Sequence, residues 1–305
     1  MDEVRVLAPA TVSNVVCGFD CLGFALSEPC DEMTIRRIDE AIVRIVNHDN
    51  YALPTDPTMN VAGVAISSLL GVVDADFGIE IQITKRIKPG SGIGSSAASA
   101  CGAVVAANRL LGDRFSKPEL AEFAMAGEMV ASGARHADNL APCIYGGFTL
   151  VRSTTPLDIV ELDFPPLFAT IIHPQIEIKT AEARAMLPRD VPLENAVRNW
   201  SNLGAMVAAL AQGDYRLLAR ALEDAIVEPV RKSLIPRFDE VKTACLAAGA
   251  LGGGISGSGP SIFMLSTALD TAQNVEASMQ AVYSGTDIEF HTYLSEIGPS
   301  GVRFA

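Results

Sequence analysis

The stretch that decides the fold is Pro89-Gly90-Ser91-Gly92-Ile93-Gly94-Ser95-Ser96-Ala97-Ala98. Glycine adopts positive φ angles without steric cost and lets the backbone approach a ligand, because it has no Cβ atom. The preceding residues 78–86 alternate isoleucine with polar neighbours, which predicts a half-buried strand. The small residues of 95–111 predict a buried helix that Gly112 ends. The sequence therefore predicts a glycine turn between a strand and a helix.

A turn in this position suits an anion. The first amide groups of a helix have no helical acceptor, and the helix dipole places positive charge there. The hydroxyl groups of Ser95 and Ser96 can cap the helix, bind a phosphate oxygen or reach Mg²⁺. No Lys-Ser/Thr pair follows the turn, so it is not a Walker A loop, and the spacing of Gly90, Gly92 and Gly94 disfavours a dinucleotide fold. An ordinary tight turn before a buried helix remains the alternative.

The rest of the chain mixes strands with helices, which predicts two α+β layers. We expect strands at residues 4–8, 33–45, 148–152, 167–173, 261–265 and 287–293. We expect helices at residues 116–131, 195–211, 215–226 and 237–248, the first beginning with the capping box Ser116-x-x-Glu119. Residues 153–166 are rich in Pro, Thr and acids, and we place a domain boundary there, giving domains 1–155 and 156–305.

Composition excludes some classes of protein. A net charge of -13 without a concentrated basic stripe argues against a nucleic-acid partner. The sequence has no apolar run of membrane-spanning length and no signal peptide, so we expect no membrane partner and a cytoplasmic location. The six cysteines include no C-x-x-C pair and the four histidines are scattered, so a zinc site is not expected. Mg²⁺ that arrives with a nucleotide remains open.

Four motifs together resemble those of the GHMP kinases, a family of galacto-, homoserine, mevalonate and phosphomevalonate kinases. The glycine turn is similar to the second signature of the family, whose core G-[IL]-G-S-S-A-[AS] is matched at residues 92–98. Residues 9–20, PATVSNVVCGFD, resemble the first signature, and residues 252–260, GGGISGSGP, resemble the late glycine loop. Residues 133–142, GARHADNLAP, are similar to a motif of the homoserine kinases within this family.

The resemblance implies a fold and a nucleotide site. The fold would be an N-terminal domain related to a ribosomal-protein fold and a C-terminal ferredoxin-like domain, with ATP in the cleft between them. The phosphates would lie on residues 89–98, and Asn60 matches a position near the adenine. Glu128 and Ser96 match the positions that hold Mg²⁺. A homodimer is also implied, because the family often forms one.

The resemblance implies homoserine as the acceptor and a place in threonine biosynthesis. Asp20 would meet the ammonium group, and Arg184 and Arg231 would meet the carboxylate, for which the planar guanidinium fork is suited. The motifs assign the remaining polar positions of the acceptor site to Asn14, His136 and Asn139.

Purely structural roles stay open for several of these residues. Asp20 could be a turn residue, Arg184 and Arg231 could be solvated surface residues, and His136 could be a structural histidine. Cys17 in the first signature and Cys21 directly after it are interpreted as small apolar fillers, with a redox-sensitive site as the alternative.

The resemblance also bears on catalysis, for which Ser96, Glu128 and Asn139 are the implied residues. Mevalonate kinases of the family have an aspartate at the position of Asn139, and an amide cannot act as a general base. Our hypothesis is that the enzyme works mainly by positioning its substrates, with Asp138 as an alternative base. Rival functions are another GHMP-type kinase acting on mevalonate or a sugar, and a non-catalytic nucleotide-binding protein.

Overall fold

A computed structural model describes residues 2–73 and 75–305, with the backbone alone described at residues 131 and 132. The first half of the chain forms most of a seven-stranded sheet in the order β11-β1-β2-β4-β3, with β5 paired to β2 and β6 paired to β5. The strands are β1 (Glu3–Val15), β2 (Gly18–Ile38), β3 (Val43–Asn47), β4 (Gly78–Thr84), β5 (Phe148–Thr154), β6 (Leu157–Leu162) and β11 (Arg303–Phe304). All pairs are antiparallel except β3 with β4.

Four helices cover one face of this sheet: α1 (Val61–Val73), α2 (Ser95–Leu110), α3 (Lys117–Ser132) and α4 (Leu140–Tyr145). Helix α2 lies in the centre, and its residues from Ala97 to Ala107 are buried except Val105. A Cβ atom at Gly102 would lie 2.5 Å from Met33 Sδ and 3.0 Å from Ala8 Cβ, so only small residues let α2 approach the sheet so closely. This confirms the predicted buried helix after the glycine turn.

The second sheet has four antiparallel strands in the order β10-β7-β9-β8. They are β7 (Phe168–Pro174), β8 (Gly252–Ile255), β9 (Ile262–Ser266) and β10 (Phe290–Glu296). The helices of this part are α5 (Thr180–Ala185), α6 (Leu193–Gln212), α7 (Tyr215–Ala221), α8 (Glu228–Arg231), α9 (Phe238–Ala247) and α10 (Leu269–Ser284). Side chains of α9 and α10 pack with those of β7, β8 and β9 in one apolar core. The α+β layering predicted from the sequence is confirmed.

The chain passes between the two sheets twice. Residues 163–167 lead from β6 to β7, and residues 297–302 return from β10 to β11. The returning segment is bonded to the first sheet, because Gly147 N donates to Gly298 O at 2.7 Å and Gly298 N donates to Ala25 O at 2.8 Å. Since β6 lies in the first sheet, that sheet continues past residue 155. We therefore propose that the two domains divide within 163–167.

Two predicted elements differ from the structure, and several elements were not predicted. The expected strand at 33–45 is two elements, because β3 pairs with the far side of β4 and the chain must leave β2 after Ile38 to reach it. The expected helix at 215–226 ends at Ala221, because the Asp224 carboxylate accepts from the backbone amides of residues 226–228 and starts a new turn. Helices α1, α4, α5, α8 and α10 and strands β6, β8 and β11 were not predicted.

The capping box, in contrast, is confirmed. Ser116 N donates to Glu119 Oε2 at 2.8 Å at the start of α3, as the spacing of the two residues requires. Among residues 2–73 and 75–305, no helix combines the length and apolar content that a membrane span requires.

Candidate active site

A cleft with a cavity volume of about 380 Å³ collects most of the predicted site residues, which come from both sheets and their connections. Its volume is within the range of small-molecule sites. The predicted residues that line it are Asn14, Asp20, Asn60, Pro89, Gly90, Gly92, Gly94, Ser95, Ser96, Glu128, His136, Asn139, Arg184 and Arg231. Four predicted nucleotide-binding residues do not line it, namely Ser91, Ile93, Ala97 and Ala98, and all four are buried. Because their side chains are buried away from the cleft, these four residues could contact a ligand only through their backbone atoms.

The glycine turn is shaped by the elements packed against it. Gly90, Gly92 and Gly94 have φ angles of 75°, 82° and 72°, a region that favours glycine. A Cβ atom at Gly94 would lie 2.0 Å from the hydroxyl oxygen of Thr11, and Thr11 N donates to Ile93 O at 3.2 Å. The turn is thus pressed against β1, where the first motif lies.

The late glycine loop supports the same turn from the second domain. Ser256 Oγ donates to Gly92 O at 2.7 Å, and Ser261 Oγ donates to Ser91 O at 2.6 Å. A Cβ atom at Gly92 would lie 2.7 Å from Ser256 O, so this position needs glycine for space as well as for its φ angle. Two motifs far apart in sequence therefore fix one turn.

The start of α2 carries amide groups that can face an anion. Gly94 is the N-cap residue, and Ala98 N donates to Gly94 O at 2.9 Å as the first helical hydrogen bond. The amide groups of Ser95, Ser96 and Ala97 precede it and therefore have no helical acceptor. Ser95 Oγ donates to Ile87 O at 2.8 Å, so this hydroxyl neither caps α2 nor faces a ligand. Ser96 is the serine of this turn whose hydroxyl group remains for the cleft.

Glu128 of α3 lies in the wall of the cleft beside Ser96. Burial raises the pKa of Glu128 to about 7, the hydrogen bond from Ser96 lowers it and the charge of Asp138 raises it. A cation near this carboxyl group would lower the pKa again, because it would stabilise the charged carboxylate. One carboxylate and one hydroxyl beside a phosphate site are hard oxygen donors, which suit Mg²⁺ bound together with a nucleotide. In the described part of the chain, no group of three or more His, Cys, Asp or Glu side chains is placed to hold a metal by itself.

Asp20 is the centre of the predicted acceptor site. Arg184 Nη2 donates to Asp20 Oδ1 at 2.6 Å, and His136 Nδ1 lies 3.7 Å from the same oxygen. The backbone amide of Asp20 donates to Asn14 Oδ1 at 2.7 Å, and Asn14 Nδ2 donates to Gly257 O at 2.8 Å. Predicted residues of the first motif, of the 133–142 motif and of the late glycine loop therefore meet in one polar group.

Arg231 lies on the other side of Arg184. It is buried, and it donates from Nε to Ala183 O at 3.2 Å and from Nη1 to Gly257 O at 3.4 Å. The Cζ atoms of Arg184 and Arg231 lie 5.3 Å and 5.0 Å from the centroid of the Phe19 ring. Burial lowers the pKa of Arg231, and the charge of Arg184 lowers it further. Two guanidinium groups over one ring form a site that an anion such as a carboxylate would stabilise.

Asn139, which precedes α4, is bonded to β1 beside the glycine turn. Its Oδ1 accepts from Thr11 Oγ1 at 2.8 Å, and its Nδ2 donates to Ser13 Oγ at 2.8 Å. The preceding Asp138 is buried, and burial, with the nearby charge of Asp20, raises its pKa. Asn139 is thus held by the protein on both sides of its amide group, which suits a positioning role.

Several cleft residues were not predicted from the sequence. The apolar wall includes Leu53, Met59, Ile83 and Ile178, and Lys85 lines the cleft beside the start of α2. The alternation of the isoleucine strand indicates that Ile83 is inward, but nothing local marks the others as cleft residues. Asn60 lines the cleft as predicted, yet its amide is bonded within the protein: Oδ1 accepts from Ala62 N at 2.9 Å, and Nδ2 donates to Pro54 O at 2.7 Å.

Known proteins resemble the chain along its whole length. The family description "GHMP kinases N terminal domain" matches residues 60–147, and "GHMP kinases C terminal" matches residues 206–285. A homoserine kinase of Chloroherpeton thalassium is 47% identical over 99% of both chains. A homoserine kinase of Chlorobaculum tepidum is 44% identical over 99% of this chain and 98% of the relative.

A solved structure agrees with these relatives. The crystal structure of homoserine kinase from Cytophaga hutchinsonii has 47% sequence identity and a TM-score of 0.96, and the match covers 100% of this chain and 98% of that chain. The predicted GHMP kinase fold is confirmed. The chain therefore belongs to the GHMP kinase family, in the branch that contains the homoserine kinases.

Proposed function

We propose that this chain transfers the γ-phosphoryl group of ATP to the hydroxyl group of L-homoserine and produces O-phospho-L-homoserine for threonine biosynthesis. The observation that carries the proposal is the set of residues that line one cleft. A turn that leads into α2, whose first three amide groups have no helical acceptor, lines the same cleft as one carboxylate and two guanidinium groups, from Asp20, Arg184 and Arg231. The names of the similar proteins support the same substrate.

The nucleotide would bind with its phosphates over the start of α2. The amide groups of Ser95, Ser96 and Ala97 would donate to phosphate oxygens, and the positive end of the helix dipole would favour their charge. Mg²⁺, when bound with the nucleotide, would withdraw charge from the phosphate oxygens. On this chain, Glu128 and Ser96 would hold it. Asn60 would shape the adenine end by holding the loop at Pro54.

The acceptor would bind as a zwitterion. Its ammonium group would meet Asp20, and its carboxylate would meet the guanidinium groups of Arg184 and Arg231. Asn14 and His136 would keep Asp20 in place, since one accepts from its backbone amide and the other lies beside its carboxylate. An acceptor without the ammonium group could not pair with Asp20, and an acceptor without the carboxylate could not pair with Arg184 and Arg231.

Catalysis would depend on alignment of the two substrates. In phosphoryl transfer the transition state is loose, so the attacking hydroxyl develops little positive charge until late, and a strong base in contact with it is not required. The side chain of Asn139 is held in place by Thr11 and Ser13 of β1, and it lies between the glycine turn and the residues of the acceptor group. Amides at the start of α2 would stabilise the charge on the transferring group.

We propose a cytoplasmic location for the enzyme. All six cysteines are free thiols, and five of them are buried, a state that a reducing compartment maintains. A homodimer stays a prediction, and light scattering of the purified protein measures it directly.

Purified protein with Mg-ATP and L-homoserine tests the function. We expect ADP release coupled to a new phosphorus resonance for O-phosphohomoserine, with D-homoserine, mevalonate and sugars turned over far more slowly. ADP release with mevalonate or a sugar but not with homoserine would assign the chain to another GHMP kinase activity. ATP binding without ADP release from any acceptor would favour a non-catalytic nucleotide-binding protein.

A further inference from the structure

A buried ion pair between Lys85 and Asp31 lies against the glycine turn. The side chains of Lys85 and Asp31 are 1% and 0% exposed. Asp31 belongs to β2, and Lys85 follows the last residue of β4, with the paired residues Glu32 and Thr84 as neighbours. Burial of two charges carries a large desolvation cost, which a protein offsets only with a full set of hydrogen bonds.

The ammonium group of Lys85 has that full set. It donates to Asp31, to Ser95 O at 2.7 Å and to Ser99 Oγ at 3.0 Å. An ammonium group has three donors, so all of them are used within the protein. Lys85 lines the cleft but has no donor left for a ligand, and any effect on a ligand must pass through Ser95 and α2.

The carboxylate of Asp31 secures the other end of the turn. Its Oδ1 accepts from the backbone amides of Arg86 at 2.8 Å and Ile87 at 2.9 Å. Ser95 Oγ then donates back to Ile87 O at 2.8 Å. The ion pair therefore holds both the segment that leads into the glycine turn and the first residue of α2 that follows it.

We propose that Lys85 and Asp31 are positioning residues for phosphoryl transfer: together they fix the first turn of α2 so that its amide groups meet the phosphates of ATP. The inference rests on the proposed function, because it assumes that the phosphates lie on this turn. Asp20, Arg184 and Arg231 belong to a separate hydrogen-bonded group that does not include the ion pair. Loss of the ion pair should therefore weaken nucleotide use and leave acceptor affinity nearly unchanged.

The neighbouring pair supplies a matched control. Arg86 and Glu32 are one residue further along the same two segments, and their side chains form an ion pair that is 60% and 48% exposed. Arg86 does not line the cleft. Lys85→Met and Arg86→Met each remove one positive charge from an ion pair, but only the first acts on the glycine turn.

The test compares steady-state kinetics of Lys85→Met, Asp31→Asn, the double variant and Arg86→Met. We expect Lys85→Met to raise KM for ATP by about tenfold and to lower kcat by as much as about 100-fold, because a displacement near 1 Å has effects of this size. KM for homoserine at saturating ATP should change by less than about twofold, and Arg86→Met should behave as wild type. The double variant should be no worse than Lys85→Met, since the pair acts as one unit.

Two further measurements distinguish a loosened first turn of α2 from a general loss of folding. Hydrogen exchange of the amides of residues 98–100, the first that donate within α2, should become faster in Lys85→Met and stay unchanged in Arg86→Met. If Lys85→Met does not fold, Ser99→Ala should still raise KM for ATP with unchanged KM for homoserine, because it retains the ion pair and removes the hydrogen bonds of Ser99 with Lys85 and Ser95. A lower melting temperature with both KM values unchanged, or an equal rise of both, would overturn the inference. An inert wild-type protein would instead defeat the proposed function.

Discussion

Arg184 donates to Asp20 across 2.6 Å and so connects α5 of the second domain to the first motif on β2. Both residues are assigned to opposite ends of the same amino acid, the ammonium and the carboxylate. Without substrate, the two charges satisfy each other, and Asp20 is not left as an isolated carboxylate in the cleft. A zwitterion that binds here would replace one ion pair by two, which favours substrates that carry both charges.

Replacement of Asp20 by asparagine should raise KM for homoserine. The change removes the charged partner of the ammonium group, and hydrogen bonds to charged groups contribute about 1.5–3 kcal/mol, or roughly 10- to 100-fold in kcat/KM. KM for ATP should stay within about twofold of wild type, because Asp20 lies in the acceptor group. Equal losses for both substrates in initial-rate measurements would contradict the assignment.

Replacement of Arg184 by alanine should remove selectivity for the carboxylate. With wild-type protein, 3-amino-1-propanol, which lacks the carboxylate, should be a much poorer acceptor than L-homoserine. Arg184→Ala should be about 100-fold worse with homoserine but nearly unchanged with the amino alcohol, because the lost contact exists only with homoserine. A similar loss with both acceptors would show that Arg184 acts by holding Asp20 alone.

Gly90 and Gly94 provide a matched pair in the glycine turn. Their φ angles are 75° and 72°, so alanine meets the same conformational penalty of about 1 kcal/mol at either position. A Cβ atom meets nothing within 4 Å at Gly90 but would lie 2.0 Å from Thr11 Oγ1 at Gly94. Gly94→Ala should therefore cost about 2–4 kcal/mol in urea unfolding and abolish tight ATP binding, whereas Gly90→Ala should lose about 1 kcal/mol. Equal losses would show that strain, and not the contact with β1, decides the effect.

The carboxyl group of Glu128 should make the stability of the ligand-free protein depend on pH. Burial raises its pKa from the ordinary 4.5 to about 7, so the folded state holds the proton more tightly than the unfolded state. The free energy of unfolding should therefore decrease as the pH rises from 4.5 to 7, by on the order of 3 kcal/mol.

Glu128→Gln isolates this contribution because glutamine does not titrate. Urea unfolding of both proteins at pH 5 and pH 8 should show the variant to be the more stable of the two at pH 8, with a smaller difference at pH 5. The variant should also lose the dependence of ATP binding on Mg²⁺. The same pH dependence in both proteins would assign the proton to another group.

Replacement of Asp138 by asparagine separates positioning from base catalysis. A general base contributes about 10²- to 10⁴-fold to the rate, whereas we expect kcat of Asp138→Asn to fall by less than about tenfold. Burial and the charge of Asp20 raise the pKa of Asp138, and this carboxyl group is not needed as a base if alignment carries the reaction. A fall in kcat of several orders, with both KM values unchanged, would overturn the positioning account.

The glycine turn could be predicted because its signals are local. Glycine permits the positive φ angles at Gly90, Gly92 and Gly94, and the small residues after them permit close packing; the structure has both features. Helix α1 was missed because Val61–Val73 is apolar with little contrast between its faces. Its one local signal was Asn60, which caps the helix through its side chain and was interpreted only as a ligand residue.

Contacts that depend on strand register could not be predicted. Lys85 and Asp31 are 54 residues apart, and they meet only because the antiparallel pairing of β2 with β4 sets Glu32 opposite Thr84. The sequence shows Lys85 as one member of a short basic cluster. In the same way, nothing near Phe19 indicates that two arginines from the second half of the chain lie over its ring.

The two passages of the chain between the sheets, at residues 163–167 and 297–302, limit how the domains can move. Both passages enter an apolar core that the two sheets share, where Phe24 of the first sheet packs against Phe263 of the second. Rotation of one domain against the other would expose this buried surface to water. Substrates would then enter the cleft through motion of side chains and loops at its rim, with the two sheets held in place.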